Sequence, residues 1–153
     1  MGWVLAVGVL SGCDGGAPAK TTTAVSNTVD MTTSFPAAYA GFPRKAGGTC
    51  AFDQPAIDGD SKFFSGWGFI SATDSALAEA MLVGISSGGT EKFAVLTKTK
   101  REDVAKYFKN PAVMDSGFSI YVSKADIPHG SKATVYQIFQ GIAYVCENTI
   151  TIN

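Results

Sequence analysis

The chain is 153 residues long, enough for one domain of ordinary size with a sizeable core once loose ends are set aside. Hydrophobic residues make up 46%, which is globular rather than disordered. Charged residues reach only 16% with a net charge of −1, which argues against a basic nucleic-acid-binding surface. The one dense cationic stretch, Lys98, Lys100 and Arg101, runs at once into Glu102 and Asp103. It reads as a solvated strand end entering a helix rather than as a phosphate site. The 17 glycines, with frequent Thr, Ser and Val, favour a β-rich fold with many turns.

Residues 3–10 (WVLAVGVL) form an apolar run followed by Ser11, Gly12 and Cys13. Such a run is too short to cross a hydrocarbon core, which takes about 20 residues in a helix, but it suits the apolar region of a secretory signal. The ending Leu10-Ser11-Gly12-Cys13 resembles the lipobox of bacterial lipoproteins. That resemblance implies a diacylglycerol on the Cys13 thiol, removal of residues 1–12, and Cys13 as the mature N-terminus. No Lys or Arg precedes Cys13, whereas the start of such a signal is normally positive. Either a basic stretch lies upstream of Met1 or the signal is atypical. Asp14 resembles the signal that retains a lipoprotein in the inner membrane of enteric bacteria; other bacteria read that position differently.

Residues 13–33 read as the lipidated Cys and a flexible tether, rich in Gly, Ala, Thr and Ser. Residues 34–49 differ, with Phe35, Tyr39 and Phe42 interleaved with Pro36 and Pro43. This segment reads as an extended arm laid along the domain, since isolated aromatics in water are unusual at that density. An aromatic recognition segment is the alternative.

From Cys50 onward the chain reads as short strands. Residues 63–71 alternate, with Phe63, Trp67 and Phe69 on one face and Gly66 and Gly68 on the other. Residues 74–80 suggest a short helical turn. Met81, Val83 and Ile85 form a second period-2 set, and the turn Ser87-Gly88-Gly89-Thr90 joins them to residues 92–97 as a hairpin. Thr99 and Glu102 have capping-box spacing for a helix presenting Val104, Tyr107 and Phe108 on one face, stopped by Asn110-Pro111. Phe118, Ile120 and Val122 alternate again before a turn at Ile127-Pro128-His129-Gly130. Two strands near 133–139 and 142–146 follow, and Ile142, Tyr144, Cys146, Ile150 and Ile152 share parity. Strands at this spacing predict a mostly-β chain: a single antiparallel, immunoglobulin-like β-sandwich over 50–153 with one short helix.

Gly66-Trp67-Gly68-Phe69, Arg101-Glu102-Asp103-Val104, Ser116-Gly117-Phe118 and Ile127-Pro128-His129-Gly130 come in an order similar to a β-sandwich module of bacterial envelope proteins. The same module is attached to enzymes of surface polysaccharides. The resemblance spans about residues 50 to 152 and implies no active site. The paired cysteines and the lipoprotein start depart from it. The motif residues also have structural roles open to them. Arg101 and Asp103 flank a helix start, where Asp favours the positive end of the dipole. Arg101 is placed to bridge backbone carbonyls of a neighbouring strand, and Gly117 permits close backbone approach before a core Phe118.

Three cysteines leave two after lipidation, and in an exported protein an even remainder predicts a disulfide, Cys50 to Cys146. His129 is the only histidine and sits in a Pro-His-Gly turn, with no Gly-x-Ser-x-Gly elbow to serve. Asp53, Asp58 and Asp60 cluster in sequence but lack the terminal Glu of a calcium loop, and they read as a solvated loop. Zinc needs more ligands than one His. No cofactor is expected. These observations predict a lipid-anchored envelope protein facing the periplasm, on the inner membrane if Asp14 retains it and otherwise on the outer. Its domain acts without catalysis, binding an envelope glycan or protein, with exposed members of Tyr121, Tyr136 and Tyr144 as contacts. A small envelope hydrolase using Asp residues or His129 is the alternative.

Overall fold

The computed structural model describes residues 28–153. The expected acylation site Cys13, Asp14, the expected signal 1–12 and residues 13–27 of the expected tether lie outside them. Among the described residues the strands are β1 (Arg44–Ala46), β2 (Thr49–Phe52), β3 (Ala56–Asp58), β4 (Ser61–Phe69), β5 (Ala80–Ser87), β6 (Thr90–Val95), β7 (Thr97–Thr99), β8 (Gly117–Ser123), β9 (Ser131–Phe139) and β10 (Ile142–Ile152). One α-helix, α1 (Glu102–Tyr107), and three 3-10 turns complete the fold. No described helix is long and apolar enough to cross a membrane.

The strands form two sheets, one ordered β1-β10-β9-β5-β6 and the other β2-β4-β8-β7, with β3 also paired to β4. The second sheet follows the A-B-E-D order of immunoglobulin domains, and β10-β9-β5-β6 follows their G-F-C-C′ order. The protein is therefore a mostly-β sandwich with one short helix. All pairs are antiparallel except β1 with β10, which is parallel. That single departure from the expected antiparallel pattern arises because the chain runs along the outer edge of β10 before turning into β2.

The inner layer is built by alternation. Met81, Val83 and Ile85 of β5, Ile120 and Val122 of β8, and Val135 of β9 meet between the sheets. Gly88 and Gly89 both have positive φ (57° and 82°), the conformation of the tight turn that matches strand twist, and they close the expected β5–β6 hairpin. On β10, Val145 pairs with Tyr136 and Thr149 with Thr134, so four steps along β10 match two along β9. The excess is even. Cys146, Ile150 and Ile152 therefore keep the same inward parity across the bulge.

β4 alternates as expected, with Phe63, Trp67 and Phe69 on one face and Gly66 and Gly68 on the other, and the glycine side is the one that faces inward. Phe64, not Phe63, points between the sheets and is fully buried, while Trp67 and Phe69 point outward under α1. The reason is space. A Cβ on Gly66 would meet the Ala51 carbonyl and the Phe118 ring, and one on Gly68 would meet Gln137 at 3.1 Å and Cys50 at 3.2 Å. At positions 66 and 68 the inward side of β4 is taken by the Ala51 carbonyl and by side chains of its neighbours, which favours glycine there.

Cys50 of β2 and Cys146 of β10 form the expected disulfide, with Cα atoms 6.2 Å apart. It ties the second strand, not the first, to the last. It also joins the two sheets, closing a loop of 96 residues; the chain-entropy model assigns such a loop about 4–5 kcal/mol.

Three other expectations fail locally. Thr99 pairs with Gly117 as the end of β7, and the helix N-cap is Arg101 without a side-chain cap, so no capping box forms. Residues 74–80 make no helix: Ser71 and Ala76 bridge across a turn, and the Asp74 carboxylate accepts from the Ser71 hydroxyl at 2.8 Å. Residues 28–33, expected as tether, lie on the domain. The Val29 amide donates to the Tyr121 carbonyl, Thr32 exchanges two backbone hydrogen bonds with Phe93, and Met31 packs on the core.

Candidate functional site

While Phe118 points into the core, the outer face of the β2-β4-β8-β7 sheet carries the helix, Arg101 and Asp103. Phe69, Val104 and Val113 are buried there, with Trp67, Ala72, Leu77 and Phe108 packed around them. The helix is short because Asn110 precedes a proline and takes an extended conformation (φ −135°, ψ 103°). The Asn110 amide nitrogen donates to the Ala72 carbonyl at 2.7 Å, and its oxygen accepts from the Ala112 amide at 2.9 Å. These bonds pin the end of the helix to the loop before β5.

Arg101 and Asp103 form one unit with Asp53 and Ser65. Arg101 donates from Nε and Nη2 to the two oxygens of Asp103, at 2.8 and 2.7 Å, and from Nη1 to Asp53 Oδ2 at 2.8 Å. Ser65 Oγ donates to the same Asp53 oxygen at 2.9 Å. The guanidinium thus bridges two carboxylates, not backbone carbonyls as expected, in the fork geometry that suits arginine. Arg101 offsets one of its two partners, so the cluster keeps a residual negative charge. The Asp103 carboxyl is lowered to about 2, chiefly by its hydrogen bonds from Arg101, and the guanidinium is raised in turn. A Cβ on Gly117 would strike Thr99 and the Arg101 side chain, so glycine lets Arg101 cross β8, while Phe118 is fully buried in the core.

Next to this unit lies an open cleft of ≈ 560 Å³ lined by Trp67, Asp103, Val104, Tyr107 and Phe108. Its rings form a connected chain. Tyr107 meets Phe108 edge-on at 5.0 Å, Phe108 meets Trp67 at 5.5 Å, and Trp67 stacks on Phe69 at 5.5 Å with planes 20° apart. Tyr107, expected on the buried helical face, is 80% exposed, the most exposed of the large hydrophobic side chains described. Val104 and Ala105 take the buried side instead.

The other candidates lie elsewhere. Asp53 joins Arg101, whereas Asp58 and Asp60 are exposed at the β3–β4 turn, so the three acids do not form one cluster. His129 is exposed in the turn before β9. Among the described residues no group of three or more His, Cys, Asp or Glu side chains is placed to hold a metal ion. Of the cationic stretch, Lys98 donates to the Ala78 carbonyl and Lys100 to Asp115 at 2.8 Å.

Of the three tyrosines expected as contacts, Tyr136 is buried and donates to Glu91 at 2.7 Å; burial, then this bond, pushes its hydroxyl pKa upward. Tyr121 is half-buried against Phe63, and Tyr144 is half-buried beside Gly47. No protein family matches the chain, and no curated protein or solved structure is significantly similar to it.

Proposed function

We propose that the chain is a lipoprotein held to the bacterial envelope membrane through Cys13, and that its sandwich binds an envelope glycan without catalysis in the cleft beside α1. One observation carries the binding reading: Tyr107, the last residue of α1, stands 80% exposed next to Trp67 and Phe108. Exposed to that degree, the side chain gains little from burial, so folding gives no account of it. Sugar rings have an apolar C–H face that stacks on an aromatic ring, while their hydroxyls seek carboxylates such as Asp103. The cleft volume lies within the usual range for small-ligand sites. A general acid needs a raised or near-neutral carboxyl, and Asp103 is tuned the other way, ionised against Arg101. The anchor reading rests on Leu10-Ser11-Gly12-Cys13.

Two measurements test the parts separately. Mass spectrometry of protein made in its own host should find a diacylglyceryl Cys13 as the N-terminus, and Cys13→Ser should release the protein from membranes. Recovery of an intact Met1 in the membrane fraction would sink the anchor. For binding, purified cell-wall and surface polysaccharides should retain the wild type, and Tyr107→Ala should weaken retention by roughly tenfold at unchanged stability. Equal retention of the variant removes the cleft from the reading. Hydrolysis of the glycan, lost in His129→Ala or Asp60→Ala, would replace the binding function with the hydrolase one.

A further inference from the structure

The two flanks of α1 carry opposite chemistry. One opens on the cleft of Trp67, Tyr107 and Phe108 with Asp103 at its rim. The other is an apolar groove of ≈ 380 Å³ over Ala105, Pro111 and Met114, bordered by Lys106 and Lys109 with Glu102 as its one acid. No Lys or Arg side chain lines the aromatic cleft, and Arg101, which borders it through Asp103, is locked between two carboxylates. Three rings beside a carboxylate, in a cluster where two acids share one arginine, make a cation-accepting surface.

We propose that the feature recognised in this cleft is the free amino group of a de-N-acetylated amino sugar in an envelope glycan, an inference that rests on the glycan-binding reading above. A protonated amine is drawn to ring faces, most strongly to Trp and then to Tyr and Phe. A carboxylate at the rim accepts one of its N–H donors in a charge-assisted hydrogen bond. The pyranose to which the amine is attached supplies the C–H face that covers Tyr107. Acetylation makes the nitrogen neutral and leaves it one donor, which removes the attraction to the rings and to Asp103 together. Anionic polymers are disfavoured in the same cleft because they meet the residual negative charge of the Asp53–Arg101–Asp103 cluster. Asp103 is fit for this role because Arg101 holds it ionised well into acid.

Calorimetric titration of the full chain with a chitosan oligosaccharide, its fully N-acetylated counterpart and a lysine-rich peptide tests the proposal. The deacetylated oligomer should bind roughly tenfold tighter than the acetylated one, and the margin should shrink as salt is added. Asp103→Asn should erase most of that margin, and Asp103→Glu, which keeps an acid beside Arg101, should retain it even if the Asn variant folds poorly. Equal affinity for the two oligomers overturns the amine inference and leaves the glycan reading standing. Binding of neither oligomer overturns both. Tighter binding of the peptide assigns the cleft to a protein partner and overturns the proposal.

Discussion

Both outer faces of the sandwich carry aromatic residues, and they are finished in opposite ways. On the β1-β10-β9-β5-β6 sheet, Phe35, Tyr39 and Phe42 from the segment before β1 lie over Leu82, Phe93, Tyr136, Ile138 and Ala143. Phe35 meets Phe93 at 5.1 Å and Tyr136 at 5.5 Å, both edge-on, and the Arg44 guanidinium sits 4.5 Å from the Phe35 ring centre. That face is sealed: ring edges find ring faces, and a cation closes the top. On the other sheet a helix of six residues covers Phe69 but leaves Trp67 half-buried and Tyr107 in solvent. An arm that follows the sheet over many residues can bury a whole face, whereas a six-residue helix covers a patch and leaves its rim open. The first arrangement serves stability, and the second leaves a cleft.

This contrast can be broken at four points of decreasing size. Replacing Cys50 and Cys146 together by Ala removes the link between the two sheets and should lower stability by about 4–5 kcal/mol, read by urea unfolding. A loss under about 1 kcal/mol would mean that the sheets hold together without it. The double variant Phe35→Ala, Phe42→Ala strips the sealed face and should cost about 3 kcal/mol while leaving glycan retention unchanged. If retention falls too, the two faces are coupled and the comparison fails. Gly117→Ala places a Cβ against Thr99 and Arg101 and should cost about 1–3 kcal/mol, with Arg101 displaced from Asp103. A crystal structure of that variant with the Arg101–Asp103 pair intact would contradict the account of the motif.

The smallest effect is a pH dependence. Asp103 falls from 3.8 to about 2 on folding, so its contribution is present above about pH 4 and is lost as pH drops toward 2. Acid unfolding curves of wild type and Asp103→Asn should therefore converge at the bottom of that window and separate above it. The group is solvent-exposed, so the separation should be small and shrink with salt. Curves that diverge toward acid would reverse the sign and reject the assignment.

Much of the sandwich was legible because alternation and turn chemistry are local. Phe118, Ile120 and Val122, the Gly88-Gly89 hairpin and the shared parity of Cys146, Ile150 and Ile152 all follow from period 2 and from glycine at positive φ. The Cys50–Cys146 bridge followed from counting thiols in a chain read as exported. The candidate cleft was not legible. Arg101 and Asp103 were singled out, but their third partner, Asp53, is 48 positions from Arg101 in sequence. Tyr107 and Phe108 occupy adjacent places in a helix of under two turns, where a shift of one residue exchanges the buried ring for the exposed one.

By itself, then, the sequence determined the longer strands β4, β5, β6, β8, β9 and β10, the turns between them and which two cysteines pair, since each depends on neighbouring residues or on composition. The short strands β1, β3 and β7 were not read from it. Tertiary structure alone decided which side of β4 faces inward. An alternating strand offers two faces, and the choice fell to Phe118, Gln137 and Cys50, whose side chains fill the space beside Gly66 and Gly68. With that space taken, Trp67 and Phe69 had to turn outward. The aromatic cleft beside α1 is a consequence of how the opposite face is packed.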